Sequence, residues 1–456
     1  MNTISYEKPS KKMPVSNAGF VTEVETNDRY TAMNGENAGN DAEWIKVNML
    51  PTRTWNRLKV NESYVKTPEI KSFCRCEMND AARNIACSAG GHRPEEYDDI
   101  ESGMGSAVAE LGRSADAAFA GKNRTDARNC TQTDTILIST EDGKRYVDPM
   151  VMTYKYEPQK GSSFNRIIID AAPGSSLTAV IVLESSKDVT SKCVTGRGVA
   201  TEQKVDAQSS HEIVSRGSKV VAGQQAALQR DGADTNEDTA VLRVLVNAQQ
   251  NSDVRIYMVQ MLGSKTVSLA DVGIQEADNA RVEFVRAELG GSRSYTGVLA
   301  DLSGDGSYFE ADTSYNAVRG RIVDMDYTAR HEGRNTQSLM NAAGVIGNSS
   351  EKIFRGTIDF LRGCAGAKGD EKEDVLLLGD DLVNKTVPLI LCKEEDVEGN
   401  HGASIGELAD DVLFYMGTRG ISREQAEKLV AKAKLLAVIS KIPSDEVRKS
   451  AAEFVG

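Results

Sequence analysis

Between Asp134 and Cys392 one local pattern keeps returning: a short β-branched or aliphatic run, then a break of Gly, Asn, Asp or Ser. TILIST, RIIIDA, SLTAVIVLESS, AVLRVLVNA and VRIYMVQML come first; RVEFVRAEL, SYTGVLADL, SYFEAD, AVRGRIVDMDYTA, SLMNAAGVI, IFRGTIDFL, VLLLG and TVPLIL follow. Branched side chains pack well on a pleated surface and the break residues turn the chain, so each run predicts a strand. Almost no amphipathic helix is interposed, which excludes the strand–helix alternation of a doubly wound sheet. A sandwich, propeller, barrel or solenoid is left. Aromatic residues make up only 5% of the chain, too few for the large-ring core of a typical sandwich. Small side chains suit coils stacked one strand spacing apart. Gly and Asn at the breaks supply the left-handed backbone angles that tight coil corners need. The expectation is a mainly β solenoid. No hexapeptide or nonapeptide period is visible, so a β-sandwich is the competing fold.

The flanks differ. Residues 1–45 are polar, without apolar periodicity, and read as a mobile leader. Residues 46–133 mix Ala-rich stretches (Met104–Leu111, Ala115–Ala120) with Gly and Asp and predict a partly helical region. The core is bounded at 134–400, and 401–456 reads as a small helical domain. There Leu408, Val412, Leu413 and Tyr415 fall at helical spacing, and Ser422 with Gln425 forms the pattern of a capping box. Ala426, Leu429, Val430 and Ala433 line the next helix, and Pro443-Ser444 starts a last one over Asp445–Phe454. Such a short tail has few internal partners for its apolar stripes, so these eight positions, from Leu408 to Ala433, are expected to meet another protein.

Charge narrows the function. With 54 Lys+Arg against 67 Asp+Glu the formal charge is -13, which opposes binding to a phosphate backbone, so no nucleic-acid partner is expected. No apolar run is long enough to span a bilayer and the N-terminus lacks a signal-peptide core, so a cytoplasmic chain without membrane association is expected. Seven cysteines, an odd number thinly spread, suit reduced thiols rather than a disulfide framework.

Most motif-like clusters dissolve on inspection. Cys74-x-Cys76, Cys87 and His92 lack the two tight pairs of a zinc site. Asp301-Leu-Ser-Gly-Asp305-Gly306 through Asp312 has the oxygen spacing of a calcium loop, yet strands rather than helices flank it. Gly263-Ser264-Lys265-Thr266 resembles the end of a phosphate-binding loop, but Met258 stands where its first Gly belongs. The histidines (His92, His211, His331, His401) are far apart in sequence and form no visible triad.

The stretch VNKTVPLILCKEEDVEGNHGASIGELADDVLFYMGTRGISREQAEKLVAKA resembles the C-terminal signature of the SufB/SufD family. Its matching residues are Glu395-Asp396-Val397, His401-Gly-Ala403, Gly406, Phe414-Tyr415 and Arg419-Gly-Ile421. Upstream, Tyr327-x3-His331-Glu-Gly, Ser338, Phe354-Arg-Gly356 and Leu376-Leu-Leu-Gly379 fall in the family's order. The resemblance implies a right-handed parallel β-helix between helical regions, in a SUF iron–sulfur cluster assembly machine whose SufB and SufD subunits pair. Each grips a SufC ATPase through its helical tail. Glu373 stands where SufB-type chains carry a sulfur-accepting Cys. A carboxylate cannot form a persulfide, so a SufD-like, non-catalytic scaffold is implied. His401 is the candidate cluster or iron ligand, although Gly399 stands where many SufD-like chains have a Cys. No tightly bound cofactor is expected of the isolated chain: an iron–sulfur cluster would be held transiently in the complex, and a flavin stays open. Pairing with SufB or with itself is also open. The alternatives are a SufB-like cluster builder using Cys364 or Cys392, and a β-helix carbohydrate-active enzyme.

Overall fold

The computed structural model describes residues 44–52, 58–66, 68, 70–88, 134–157, 160–185 and 237–456. The expected helices at Met104–Leu111 and Ala115–Ala120, most of the leader, and His92, Cys130, Cys193 and His211 lie outside the described residues.

Residues 44–88 hold short strands, Trp44–Val47 (β1), Ser63–Lys66 (β2), Ile70–Ser72 (β3), Cys76–Met78 (β4) and Ala86–Ser88 (β5), with one helical turn, Asp80–Arg83 (α1). The described part of the region expected to be partly helical is thus mostly extended. Its strands are templated by the core: β4 and β5 pair antiparallel with its first coil, and β3 pairs with its second.

The core strands are Asp134–Ser139 (β6), Met150–Tyr156 (β7), Ser162–Ala171 (β8), Ser176–Ser185 (β9), Asp238–Ala248 (β10), Asp253–Met261 (β11), Thr266–Glu276 (β12) and Arg281–Glu288 (β13). They continue as Arg293–Leu302 (β14), Tyr308–Ala317 (β15), Ile322–His331 (β16), Gln337–Gly347 (β17), Glu351–Phe360 (β18), Ala367–Leu378 (β19), Val383–Cys392 (β20) and Val397–Gly406 (β21). Even-numbered strands from β6 to β20 form one sheet and odd-numbered strands from β7 to β21 the other, all paired in parallel. The chain therefore winds as a two-sheet parallel solenoid, and the mainly β solenoid expected from the run-and-break pattern is what forms. Coil length varies: Leu269 pairs with Tyr295, 26 positions on, whereas Ile353 pairs with Lys385, 32 on. That variation explains why no fixed repeat is visible in the sequence.

Between the sheets, Ile167, Val244, Val272, Phe284, Val298, Tyr327 and Phe354 belong to one continuous buried cluster. At one corner of successive coils, Asn251, Asn279, Gly306, Asn335 and Gly366 all take positive φ. Each donates its N–H to a carbonyl of the next coil, at 2.7–3.0 Å. The calcium-like Asp301–Asp312 segment is one of these corners, running from β14 through Gly306 into β15.

Two outer layers hold the stack. Val47 and Val65 pack over Phe164, Val241, Val267, Leu269 and Tyr295, while Leu50 and Val60 reach Val387 on the last coil. Between them, buried Arg355 donates to the Val60 carbonyl at 2.6 Å and pairs with Asp324, which also accepts from Asn48 at 2.7 Å. Asp410–Gly417 (α2) packs against Arg423–Ile439 (α3), which with Asp445–Phe454 (α4) lies on the opposite sheet. Ser422 and Gln425 close a capping box and Ser444 caps α4, as their sequence predicts. Ala431, Leu435, Val438 and Ile439 of α3 pack on Val285, Val318, Val345 and Leu376, so the helices share a core with the solenoid.

His331, fully buried, bonds to the hydroxyls of Thr336 at 2.8 Å and Ser338 at 2.9 Å, and burial lowers its pKa to about 4. The unfolded chain therefore takes up a proton near pH 6.5 that the folded chain refuses. This contribution to stability is complete above that pH and is lost as pH falls towards 4, amounting to about 3 kcal/mol. Urea midpoints measured from pH 7 to 4 should fall more steeply for the wild type than for His331→Gln; parallel curves would contradict this.

Candidate functional site

The stack of coils ends abruptly. Among the described residues β20 and β21 each have a hydrogen-bonded neighbour on one side only, and β21 is exposed from Glu398 to Ile405. Its sequence, VEGNHGASIG, has no strand-like apolar alternation. It is extended because β19 beneath it templates ten consecutive pairings, from Ala367 with Val397 to Leu376 with Gly406. The expected domain boundary at residue 401 falls inside this strand.

His401 pairs in register with Glu371. Ala367 and Val375 face the interior cluster, and paired residues share a face, so His401 sits on the inward face of the last coil, at its open mouth. Beneath the mouth lies a buried polar cluster. Glu373 accepts from Lys352 at 2.5 Å, from Thr386 at 2.5 Å and from Tyr315 at 2.9 Å. The Glu371 carboxyl crosses towards β18 and fills the space where a Cβ on Gly356 would stand, within 2.3 Å of it. Burial and the neighbouring Glu373 raise the Glu371 pKa to about 8, and its Oε2 has no hydrogen-bond partner. Burial lowers the Lys352 pKa while Glu373 opposes that shift.

Among the described residues no group of three His, Cys, Asp or Glu side chains converges to hold a metal ion. His401 alone is thus an incomplete ligand set. Cys392 ends the inward row of β20, and Cys364 lies buried in the corner one coil below; Cys74 and Cys76 are at the other end of the solenoid.

The eight tail positions separate into two groups. Ala426 is buried, and Leu408 and Val430 pack against the solenoid face. Leu413 is half-buried, whereas Val412, Tyr415, Leu429 and Ala433 are exposed. Phe414, 75% exposed, joins them, and α2 buries none of its residues. Arg419 stacks on Tyr415 at 3.8 Å. Helical spacing singles out stripes but cannot tell which stripe the solenoid covers. Phe414 was missed because it sits off the Leu408–Val412–Tyr415 stripe. Lys352 and Glu371 were missed because their strands carry charge at inward positions, where alternation predicts apolar residues.

Residues 205–434 match the family described as SUF system FeS cluster assembly, SufBD core domain. The chain is 24% identical over 223 residues to the iron–sulfur cluster assembly protein SufD of Bacillus subtilis (strain 168), covering 48% of this chain and 51% of that protein. It is 24% identical over 192 residues to a SufBD family iron–sulfur cluster assembly protein of Staphylococcus epidermidis, covering 42% and 41%. The match to a family member of Staphylococcus aureus has the same identity and extent. The chain spans about half the length of the curated relatives it matches.

The buried cluster makes a stability prediction. Glu373→Ala strands the Lys352 ammonium in the interior and should cost about 3–5 kcal/mol. Adding Lys352→Met removes the stranded charge and should recover most of that loss. Denaturation midpoints of the two variants check this, and a double variant no more stable than the single one would contradict it.

Proposed function

The chain belongs to the SufB/SufD family of the SUF iron–sulfur cluster assembly system, and from that premise we propose that it is a SufD-type scaffold subunit without turnover of its own. Its proposed partners are a SufB-type paralogue at the open end of the solenoid and a SufC-type ATPase at the exposed face of the tail. The observation that carries this reading is the unpaired last coil. An exposed strand edge is a template for another chain, and here it frames a mouth with unsatisfied inward polar groups. Glu373 supports the SufD assignment, since a buried carboxylate fixed by Tyr315, Lys352 and Thr386 offers no thiol for persulfide chemistry.

In this reading the iron–sulfur cluster is cargo. His401 offers it one imidazole nitrogen at the mouth, and the remaining ligands come from whatever docks there. A second copy of the chain is the alternative occupant of the same edge. No described helix is long and apolar enough to cross a membrane. The proposed compartment is the cytoplasm, where free thiols such as Cys74, Cys76, Cys364 and Cys392 stay reduced.

The ATPase assignment rests on Val412, Phe414, Tyr415 and Leu429, large apolar side chains that the solenoid does not cover. Phe414→Asp with Leu429→Asp should place charge in the contact and weaken capture of a SufC-type ATPase by about 2 kcal/mol or more. Neither residue belongs to the buried core, so the fold should survive. Pull-down as strong as the wild type's would refute the docking face. Separately, His401→Ala should leave the melting profile unchanged and lower the cluster yield of the assembled complex, read from its visible absorbance. An undiminished yield would return His401 to a purely structural role.

A further inference from the structure

We propose that Pro388 blocks the open edge of β20 and so selects the occupant of the solenoid's end: backbone pairing is left to β21, and a second copy of this chain is disfavoured against a SufB-type paralogue. In a parallel ladder the N–H and C=O of one residue point to the same neighbouring strand, and those of the next residue point the opposite way. The Val383 N–H donates to the Ser350 carbonyl, and the N–H of Lys393, just beyond β20, donates to the Phe360 carbonyl, both at 2.9 Å. Odd positions of β20 therefore face β18, and Asn384, Thr386, Pro388, Ile390 and Cys392 face the open edge. Proline has no N–H to give. Midway along β20, in register with Gly356, it costs the β18 ladder nothing and removes the central donor from the free edge. A strand laid there would meet the pyrrolidine ring and leave a carbonyl of its own unpaired.

The edge of β21 is complete. Lys368 of β19 donates its N–H to the Thr336 carbonyl at 2.9 Å, on the β17 side, so the odd positions of β19 turn to β21 and bond to its even positions. Gly399, His401, Ala403 and Ile405 are left with their N–H and C=O groups at the open edge, and VEGNHGASIG contains no proline. Sheets blunt an edge with proline where pairing would be harmful. Two copies of this chain meeting at their open ends do so about a two-fold axis, so each brings its own Pro388 and the interruption occurs twice. A distinct chain whose terminal strands have no proline at the matching position meets it once. The favoured occupant is therefore a paralogue that adds its strand to β21.

The choice of partner rests on the reading that a SufB-type chain docks at the open end, whereas the block is a property of this chain alone. Sedimentation of the isolated full-length chain tests the block. Pro388→Val restores an edge donor without touching the β18 ladder, so it should melt like the wild type and self-associate about tenfold or more tightly. Self-association equal to the wild type's overturns the block. On β21, Ser404→Pro removes a donor that serves β19 and should lower the melting temperature. Ala403→Pro, one residue earlier, removes only an edge donor; it should melt close to the wild type and weaken capture of a SufB-type paralogue about tenfold or more. Melting as low as that of Ser404→Pro, or capture at full strength, overturns the assignment of β21 as the pairing edge. A wild type that captures no paralogue would sink the docking reading, and the block would still be decided by self-association of the chain alone.

Discussion

Lateral pairing between coils is the constraint on which the rest of the molecule depends. Each strand beyond the first coils is ordered by the one beneath it, and the corner residues at positive φ repeat that dependence through their own N–H groups. Pairing of this kind has direction and no natural stop. The N-terminal end is closed by the antiparallel strands β4 and β5. Among the described residues the C-terminal end has no such closure, and β21 shows its edge and the side chains of both faces to solvent from Glu398 to Ile405. An unpaired edge of ten residues is a liability for a solitary protein and an asset for one that assembles.

The same constraint accounts for the polar interior. Charged residues facing inward would be costly if isolated, yet near the open end they come as a set in which Lys352, Glu373, Tyr315 and Thr386 satisfy one another. A second set, Arg286 and Glu288 with Ser294 and Thr296, lies three coils earlier in the same interior. A coil slipped by one residue would turn these groups outward and break every bond. The buried pairs therefore fix register. Beneath the mouth they also place a raised-pKa carboxyl, Glu371, next to the row that holds His401.

Much of the solenoid was legible in the sequence, because β8, β9, β10 and β11 are β-branched runs that would be extended almost anywhere. Its last odd-numbered strands were not. β21, VEGNHGASIG, has three glycines and few apolar residues, and the first eight residues of β19, AKGDEKED, are mostly charged. Both are strands only because a neighbour orders them, and no local pattern reports that. The tail shows the complementary gap. Spacing gave the helices, the capping box and the Ser444 cap, but the face that packs on Val285, Val318 and Val345 could be known only from the solenoid's outer surface. Hence Ala426 and Val430 join the internal core, and Phe414 emerges as the most exposed member of the tail's apolar patch.

If the unpaired last coil is where a second SufB/SufD-type chain adds, amide exchange of Val397–Gly406 reports it directly. Hydrogen–deuterium exchange of the free chain should show fast exchange for those β21 amides that point away from β19. Mixing with a SufB-type paralogue should slow those amides by an order of magnitude or more. Stable binding of the paralogue with β21 exchange unchanged, and protection elsewhere, would contradict the account.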